Sequence, residues 1–366
     1  MKVLILNWKD KYHPRAGGAE DFTFNIATRL IQKGHEVDWF TSKYEGALDE
    51  STQEGIHYIR RGSMFTTQFK ARSYLSSLRS GRLPDIVIDE VNTRPFFPAR
   101  FLPRKTPVVN LIHQLAREIW FFETPFPVAV LGRYWLEGKW LRKISTLPTI
   151  VVSESTREDL ATYGFKNVRV VFNGVSDVPF STNFQRDWPP LILFMGRLTG
   201  AKKPMDACLA YNWVKERIPC SMTVVGSGQL AERLKRKFPE IQFVGRITEE
   251  AKRSLLQRAT FIFVPGVREG WGRVILEAQA YGVVPVAYDV PGLRDAVDFG
   301  RVGVLTNENT PKGIGTSAIS VAQDPDLLAG FVAKGHEWAR RHTNDAAAAA
   351  FESCLLDPNF VCSRVR

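Results

Sequence analysis

Two glutamates in a glycine-rich stretch have the residue types and spacing best suited to binding a polar ligand. Glu269 and Glu277 stand eight positions apart in the stretch REGWGRVILEAQA, which begins at Arg268. Gly270 and Gly272 follow the first glutamate, and glycine lets backbone approach a ligand with no side chain in the way. The stretch therefore offers carboxylate acceptors together with accessible backbone N–H groups.

The elements on either side of this stretch determine where the glutamates lie. An apolar run, FIFVP from Phe261, comes before Glu269 and predicts a buried strand, and a helical pattern begins near Arg273 and ends at Gly282. In a parallel sheet, ligands bind beyond the carboxyl ends of the strands, where helix N-termini present N–H groups and a positive dipole end. This half of the site suits a phosphate.

The second glutamate is the one charge in the run VILEAQAYGVVPVA, which begins at Val274. A carboxylate in such a run needs hydrogen-bond donors, because an unpaired buried charge is costly. Vicinal sugar hydroxyls are suitable donors, so phosphate and hydroxyl recognition together describe a sugar nucleotide. The alternative is a helix-terminal acid, Glu269, beside an incidental core glutamate, Glu277.

A basic turn follows another predicted strand, LILFM from Leu191. Arg197 and either Lys202 or Lys203 stand between that strand and the next helix, where a diphosphate-binding pair would lie. Electrostatic neutralisation of a leaving diphosphate is typically the largest single term in such chemistry. The alternative is a solvated basic turn.

Patterns for binding metal are weak. Asp324 and Asp326 form a D-x-D, but Pro325 and the helix after it predict capping residues, so we predict that no metal is required. The cysteines show no C-x-x-C spacing, which indicates neither a zinc site nor a disulfide framework, and a reducing cytoplasm is the expected compartment. They are Cys208, Cys220, Cys354 and Cys362.

Composition bounds the class of protein. A chain of 366 residues with 44% hydrophobic and 24% charged residues fits two globular domains. Its first apolar run is only four residues long before charges return, which predicts a strand rather than a signal peptide, and no window approaches the roughly 18 apolar residues of a spanning helix. The net charge of +11 suits phosphates, an anionic membrane or nucleic acid.

Strands and helices alternate through both halves of the sequence, which predicts an α/β fold with parallel sheets. Gly17 and Gly18 open the first helix after the first strand, although a glycine turn there serves a tight turn as well as a ligand. Asp89, Glu90 and His113 follow strand ends on the rim where ligands sit. A histidine at this rim donates to a hydroxyl or a developing charge, or else serves as a core or capping residue.

Two segments combine basic and aromatic residues. Between Arg60 and Lys105 there are ten lysines and arginines against three acids, with Phe65, Phe69 and Tyr74 among them. A second segment, REIWFFETPFPVAVLGRYWLEGKWLRK, is dense in aromatics and ends in basic residues. Both patterns suit contact with an anionic membrane. The alternative for each is a helix whose aromatics face the core.

These motifs resemble the retaining glycosyltransferases of family 4, which have the GT-B fold of two Rossmann-like domains facing each other across a cleft. The resemblance spans most of the chain and rests above all on the glutamate pair in its glycine context. It is carried by GGAE from Gly17, HQ from His113, GRL from Gly196, EGWGRVILEAQAYG from Glu269 and PGLRD from Pro291. It implies an acceptor-side domain at 1–175, a nucleotide-sugar domain at 176–345, and a terminal helix at 346–366 that packs back on the first domain.

The resemblance also implies roles for individual residues. Glu277 would bind the ribose, and Glu269 would bind the hydroxyls of the donor sugar. Arg197 and Lys202 would bind the diphosphate, backbone near Arg246 would contact the base, and the backbone N–H groups would come from Gly270, Trp271 and Gly272. The site would be closed by His113, Gly17 and Gly18. Two positions depart from the family pattern. Trp271 stands where phenylalanine is common, and Gly266 stands where a small hydroxyl residue is often found before the first glutamate. Neither changes the expected roles.

The implied reaction moves a sugar from a nucleotide-diphosphate sugar, a co-substrate rather than a cofactor, to an acceptor with retention of configuration. We expect a lipid-linked or growing glycan as acceptor, and a cytoplasmic protein in peripheral contact with the inner face of an anionic membrane. We favour attack on the same face of the sugar, in which the departing phosphate helps to take the acceptor proton. Arg197 and Lys202 would stabilise the charge of the departing phosphate, and domain closure would assemble the site.

Other classes fit less well. A GT-B sugar-nucleotide epimerase would need an acid and a base around C2 and no acceptor, and the glycine-flanked glutamate pair argues against it. A non-catalytic basic protein that binds nucleic acid or glycan is the alternative from another class. No nucleic-acid motif is recognisable, so nucleic acid is not the expected partner. A dehydrogenase is disfavoured because no G-x-G-x-x-G follows either first strand.

Overall fold

A computed structural model of the chain describes residues 1–78, 83–176, 178–179, 184 and 186–361. The strands are β1 (Lys2–Leu6), β2 (Glu36–Thr41), β3 (Glu50–Gln53), β4 (Ile56–Arg60), β5 (Ile86–Glu90), β6 (Val108–Ile112), β7 (Thr149–Val151), β8 (Val168–Val170), β9 (Leu191–Met195), β10 (Ser221–Val225), β11 (Gln242–Gly245), β12 (Phe261–Val264), β13 (Val284–Ala287) and β14 (Val304–Leu305).

The α-helices alternate with these strands, as the sequence pattern predicts for an α/β fold. They are α1 (Gly18–Gln32), α2 (Thr67–Ser77), α3 (Trp120–Glu123), α4 (Phe126–Leu131), α5 (Glu137–Ile144), α6 (Glu154–Ala161), α7 (Pro204–Lys215), α8 (Ala231–Lys237), α9 (Glu249–Arg258), α10 (Arg273–Ala280), α11 (Leu293–Ala296), α12 (Pro311–Ala322), α13 (Pro325–Arg341), α14 (Asn344–Leu356) and α15 (Pro358–Val361). A π-helical turn, Gly132–Leu136, joins α4 to α5.

The chain divides into two compact units. Unit 1 contains residues 1–116, 131–173 and the chain from 344 onward, and unit 2 contains residues 117–130 and 174–343. The predicted ranges, 1–175, 176–345 and 346–366, differ from this division mainly at 117–130, a short segment that packs with unit 2. Cys362, the last of the predicted free cysteines, lies outside the described residues.

Unit 1 is built on an eight-stranded sheet in the order β3-β4-β2-β1-β5-β6-β7-β8. All neighbours pair in parallel except β3 and β4, which are antiparallel. Buried parallel strands need nearly continuous apolar runs, which KVLIL and TIV supply. The chain proceeds outward from β1 in one direction through β2 and in the other through β5, so the switch point lies between β1 and β5.

The last long helix belongs to unit 1. Helix α14 packs on α1, where the rings of Phe22 and Phe351 meet edge to face with centroids 6.3 Å apart. An ion pair between Arg29 and Asp345, with atoms 2.5 Å apart, holds the same two helices. Helix α14 thus covers the apolar face of α1.

Unit 2 is built on a six-stranded parallel sheet in the order β11-β10-β9-β12-β13-β14. Its core forms where α7 and α12 pack on the sheet, with Phe194, Phe261 and Phe263 buried. The switch point lies between β9 and β12, since the chain leaves β9 toward β10 and β11 and returns to β12 on the other side. The carboxyl ends of these strands therefore form the expected ligand rim.

No helix in the described ranges, 1–78, 83–176 and 186–361 with the short pieces between, has the length and apolarity to cross a membrane. The longest, α13, has 17 residues and ends in two arginines, Arg340 and Arg341. Asp324 caps its N-terminus, because its carboxylate accepts a hydrogen bond from the N–H of Leu327 at 2.9 Å. The predicted capping role of Asp324 is confirmed.

Candidate functional site

Five turns at the carboxyl ends of neighbouring strands form the candidate site in unit 2. The sheet order β11-β10-β9-β12-β13 sets the turns side by side. In that order they contain Arg246, the GSG turn at 226–228, Arg197 with Lys202, the glycine-rich turn with Glu269, and Gly292. The sheet therefore brings together residues that are up to 95 positions apart in the sequence.

Backbone contacts lock the two turns on one side of the switch point. Leu198 N–H donates to the carbonyl of Ser227 at 2.9 Å, and Gly196 N–H donates to that of Val225 at 3.0 Å. A Cβ at Gly226 would lie 1.9 Å from the carbonyl oxygen of Gly196, so only glycine fits. The GSG turn is thus part of the framework that positions the Arg197 turn.

The turn on the other side is locked in the same way. Glu269 N–H donates to the carbonyl of Pro291 at 3.2 Å. Gly292 has a positive φ of +83°, and a Cβ there would lie 2.1 Å from the carbonyl oxygen of Glu269. The PGLRD turn after β13 therefore supports the glutamate turn directly.

One of the two predicted diphosphate cations lies next to Glu269. Lys202 forms a short ion pair with the carboxylate of Glu269, across the switch point between β9 and β12. Lys203 turns away, with its ammonium 3.3 Å from Asp206. Arg197 is exposed, and its guanidinium lies 3.5 Å from Glu123. Of the two lysines that the sequence left open, Lys202 is the one that faces Glu269.

Glu277 is half-buried on α10 and has two cationic partners. Arg273, one turn earlier on the same helix, lies 3.5 Å away, and Lys252 on α9 lies 3.3 Å away. Burial lowers the pKa of Lys252, but the carboxylates of Glu277 and Glu249 outweigh burial and raise it overall. The lone charge in the apolar run is thus compensated by protonated donors that the sequence pattern did not identify.

The glycine turn leads into α10 as predicted. Gly272 is the N-cap with a left-handed φ of 78°, and the helix begins at Arg273. The indole of Trp271 is buried, with 1% of the residue exposed, so its side chain cannot contact a ligand in the open site. Gly270 lies between Glu269 and this N-terminus, which is the expected arrangement for N–H groups near a phosphate.

The outermost predicted residue, Arg246, lies after β11. Its Nε donates to Ser227 Oγ at 3.1 Å, which ties it to the GSG turn. Seven of the predicted site residues, Arg197, Lys202, Arg246, Glu269, Gly270, Trp271 and Gly272, therefore lie on connected turns of unit 2, and Glu277 follows on the helix.

Sequence reasoning missed Arg268. Its side chain is buried, with 7% of the residue exposed, and its Nε donates to Glu118 at 3.0 Å. Glu118 belongs to the segment 117–130, which precedes unit 2's main range by more than 40 positions. The only sequence signal was a charged residue directly after the apolar run that ends at Val267.

The remaining predicted residues, Gly17, Gly18 and His113, lie in unit 1. Gly17 is the N-cap of α1, and its N–H donates to the carboxylate of Glu20 at 2.7 Å. Glu20 is fully buried and pairs with the ammonium of Lys9 at 2.9 Å. The GGAE motif thus closes the helix N-terminus through its own glutamate.

His113 lies directly after β6 and is buried against Glu90 at the end of β5. The His113 Nε2 and a Glu90 oxygen are 3.1 Å apart, and Thr23 of α1 donates to the other Glu90 oxygen at 2.9 Å. Burial raises the pKa of Glu90, while its hydrogen bonds to His113 and Thr23 act in the opposite direction. The rim histidine and rim acid that the sequence singled out therefore form one buried network at the switch point of unit 1.

Within the residues that the structure describes, no group of three or more histidine, cysteine, aspartate or glutamate side chains is arranged to hold a metal ion. Of the cysteines in this part of the chain, Cys208 and Cys354 are buried and all three are free thiols. Burial raises the pKa of the Cys208 thiol to about 12, which keeps it protonated and unreactive.

Two family models match the chain in succession. Residues 16–177 match the model for Glycosyltransferase Family 4, and residues 180–338 match the model for Glycosyl transferases group 1. The first match covers most of unit 1 up to residue 173, and the second covers all the turns of the candidate site in unit 2.

Two relatives have similar sequences. The chain is 27% identical over 378 aligned residues to a glycogen synthase of Mycobacterium tuberculosis. The alignment covers 89% of this chain and 87% of that protein. It is also 28% identical over 173 aligned residues to the phosphatidyl-myo-inositol mannosyltransferase of Mycolicibacterium smegmatis. That alignment covers 46% of this chain and 45% of that protein. The first match runs through both units.

Solved structures show the same fold. Sucrose-phosphate synthase from Thermosynechococcus elongatus superimposes with a TM-score of 0.75 at 17% identity, over 96% of this chain and 97% of that chain. HepE from Anabaena, solved in complex with UDP-glucose, superimposes with a TM-score of 0.68 at 16% identity, over 97% of this chain and 99% of that chain.

The fold and these matches define a glycosyltransferase with the GT-B fold of two Rossmann-like α/β domains, as the sequence predicts. More narrowly, the chain belongs to the family 4 glycosyltransferases.

Proposed function

We propose that this glycosyltransferase is a retaining enzyme that moves a sugar from a nucleotide-diphosphate sugar to a lipid-linked or growing glycan acceptor. The ion pair between Lys202 and Glu269 at the switch point of unit 2 carries this proposal. It sets a phosphate-binding cation beside a carboxylate that accepts from sugar hydroxyls. The UDP-glucose in the HepE complex supports a nucleotide-sugar donor.

The diphosphate is held from two sides. Arg197 and Lys202 supply positive charge from the turn after β9, and the N–H groups around Gly270 supply the dipole end of α10. Glu277, further along that helix, accepts from the ribose hydroxyls, and Arg246 marks the end nearest the base. No metal is required in this scheme, because the cations come from side chains.

Retention follows from attack on the same face that the leaving group departs from. Glu269 is paired with Lys202, which favours a role in positioning the donor sugar over a role as covalent nucleophile. The bond between the anomeric carbon and the diphosphate oxygen breaks while the acceptor oxygen bonds to that carbon. The acceptor proton moves to the departing phosphate, whose charge Arg197 and Lys202 stabilise. His113 and the Gly17–Gly18 turn serve the acceptor side.

A membrane-borne acceptor is supported by the exposed aromatics of residues 126–135. Phe126 is 73% exposed and Trp135 is 74% exposed, and Tyr134 beside it is also exposed. Three exposed basic residues follow on α5, namely Lys139, Arg142 and Lys143. Aromatics next to basic charge fit the surface of an anionic membrane. The lipid named in the mannosyltransferase relative agrees with such an acceptor.

The test is a panel of UDP-, GDP-, ADP- and dTDP-sugars with purified protein and no acceptor, read by thermal shift and slow donor hydrolysis. One donor should stabilise and be hydrolysed by the wild type, and both responses should be much weaker in Glu277→Ala at the same donor concentration. Glu250→Ala, which removes an exposed acid of α9, is the matched control and should respond as wild type. A panel that gives no response with any donor would reject the proposed donor class. The anomeric configuration of the product, read by NMR, tests retention.

A further inference from the structure

The segment 117–123 has features that the proposed transfer does not use. It packs with unit 2, although the chain on both sides of 117–130 belongs to unit 1. Helix α3 lies against the turn that contains Lys202, and a Cβ at Gly200 would come 2.9 Å from the ring of Phe122. The segment therefore lies directly on the proposed diphosphate turn.

One end of this segment is firmly attached. Glu118 accepts from Arg268 at 3.0 Å, and Arg268 is nearly fully buried next to Glu269 in sequence. A pair with a buried guanidinium is costly to break, because the charge would lose this hydrogen bond in a low-dielectric site. Glu118 thus fastens the segment to the glutamate turn.

The other end is loosely attached to a residue that the donor needs. Glu123 lies 3.5 Å from Arg197, and their side chains are 44% and 62% exposed. Exposed pairs at this distance contribute little and are screened by salt. A doubly charged diphosphate forms stronger, bidentate contacts with an arginine than a single exposed carboxylate does.

We propose that residues 117–123 act as an anionic strap on the diphosphate site. Glu118 anchors the strap through Arg268, and Glu123 occupies Arg197 until the donor diphosphate replaces it. The strap therefore competes with the donor, and it keeps Arg197 neutralised while the site is empty. This inference rests on the proposed function, since it assigns the diphosphate to Arg197.

The first test compares nucleotide affinity by titration calorimetry. UDP, GDP, ADP and dTDP are titrated into wild type, Glu123→Gln and Glu216→Gln at low salt. Glu216 is a matched control, because it is an exposed glutamate of unit 2 that pairs with Arg217 at 3.2 Å. The nucleotide that binds wild type should bind Glu123→Gln two- to fivefold more tightly and Glu216→Gln equally. The gain should disappear at high salt and with the nucleoside that lacks phosphates.

Hydrogen exchange gives a second, independent readout. Addition of the nucleoside diphosphate to wild type should speed exchange of the amides of residues 120–124, because the loose end is released. Protection of those amides would mean a lid that closes on the donor, and would overturn the proposal. Equal or weaker binding by Glu123→Gln would overturn it as well, while the donor assignment would stand. If wild type binds none of the nucleotides, the proposed function and the strap both fail.

Discussion

Lys252 Nζ lies 3.3 Å from Glu277 Oε2, so helix α9 supplies a cation for the half-buried acid of helix α10. This pair holds the carboxylate of Glu277 in place on an otherwise apolar helix. A carboxylate with a fixed orientation is a strong acceptor for two vicinal hydroxyls. The ribose of the nucleotide is therefore the moiety that Glu277 should recognise.

Glu277→Ala should weaken nucleoside diphosphate binding by about ten- to a hundredfold, since hydrogen bonds to charged groups contribute about 1.5–3 kcal/mol. The 2′,3′-dideoxy nucleotide should bind wild type and variant equally, because it lacks the hydroxyls that Glu277 would accept from. Calorimetry with both nucleotides and both proteins closes a double-mutant cycle. If Glu277→Ala still prefers the ribose form by tenfold, the role assigned to Glu277 is wrong.

Arg197→Gln should lower kcat by about 10²–10³-fold with a smaller change in the donor KM, because stabilisation of developing charge acts mainly in the transition state. Arg301→Gln serves as control, since Arg301 is an exposed arginine of unit 2 that pairs with Asp298. Steady-state kinetics with the donor found in the panel measure both constants. A raised KM at unchanged kcat would show that Arg197 binds the ground state and the transition state equally and does not stabilise the developing charge.

Gly292→Ala should destabilise the protein and weaken donor binding, because its Cβ would meet the carbonyl of Glu269 at 2.1 Å. Gly245→Ala is the matched control, with a similar φ of +70° and no atom within 4 Å of the added Cβ. The control should lose about 1 kcal/mol from its backbone conformation alone, and Gly292→Ala clearly more. Thermal denaturation of both variants measures the difference, and equal losses would contradict the close approach.

Asp89 should make stability depend on pH. It is fully buried and accepts from the N–H groups of Phe96 and Phe97, both at 3.1 Å. Burial raises the pKa of Asp89 to about 7 from its ordinary 3.8, against the effect of those two hydrogen bonds. A raised folded-state pKa gives stability that is present at low pH and is lost as the pH rises through about 7.

The free energy of unfolding of wild type should therefore fall from pH 5 to pH 8 more steeply than that of Asp89→Asn, which has no proton to lose. Urea denaturation at the two pH values measures both slopes. Parallel pH profiles for the two proteins would show that Asp89 is ionised in the same way in the folded and unfolded chains.

Trp135→Ala and Phe126→Ala should each reduce co-sedimentation with phosphatidylglycerol vesicles several-fold, because exposed aromatics insert at the interface. Trp188→Ala is the matched control, since Trp188 is 84% exposed but lies outside residues 126–135. Neutral phosphatidylcholine vesicles should bind all four proteins weakly. Equal loss in the Trp188 variant would remove the support for a specific membrane surface.

Local patterns predicted much of the candidate site. The apolar run from Phe261, the glycines after Glu269 and the helical pattern from Arg273 correctly indicated β12, the turn and α10. The alternation of strands and helices likewise predicted the two parallel sheets. These signals are periodic or depend on neighbours in the sequence, so one sequence contains them.

Contacts between distant segments could not be predicted in this way. Lys252 pairs with Glu277 from another helix, and Glu118 pairs with Arg268 from 150 positions away. The edge strand β3, with the sequence ESTQ, was also missed, because a mostly exposed polar strand shows no apolar alternation. The sheet order that sets such partners side by side is a property of the whole fold.

The placement of α14 in unit 1 has a consequence for how the chain is made. A ribosome releases residues 174–343, nearly all of unit 2, before the helix that covers α1 has been synthesised. Phe22 on α1 can make its ring contact with Phe351 only after the chain through Phe351 has been synthesised. Unit 2 can therefore complete its fold first, in contrast to the usual N-terminal-first order. During this interval the face of α1 around Phe22 lacks the helix that covers it in the finished fold.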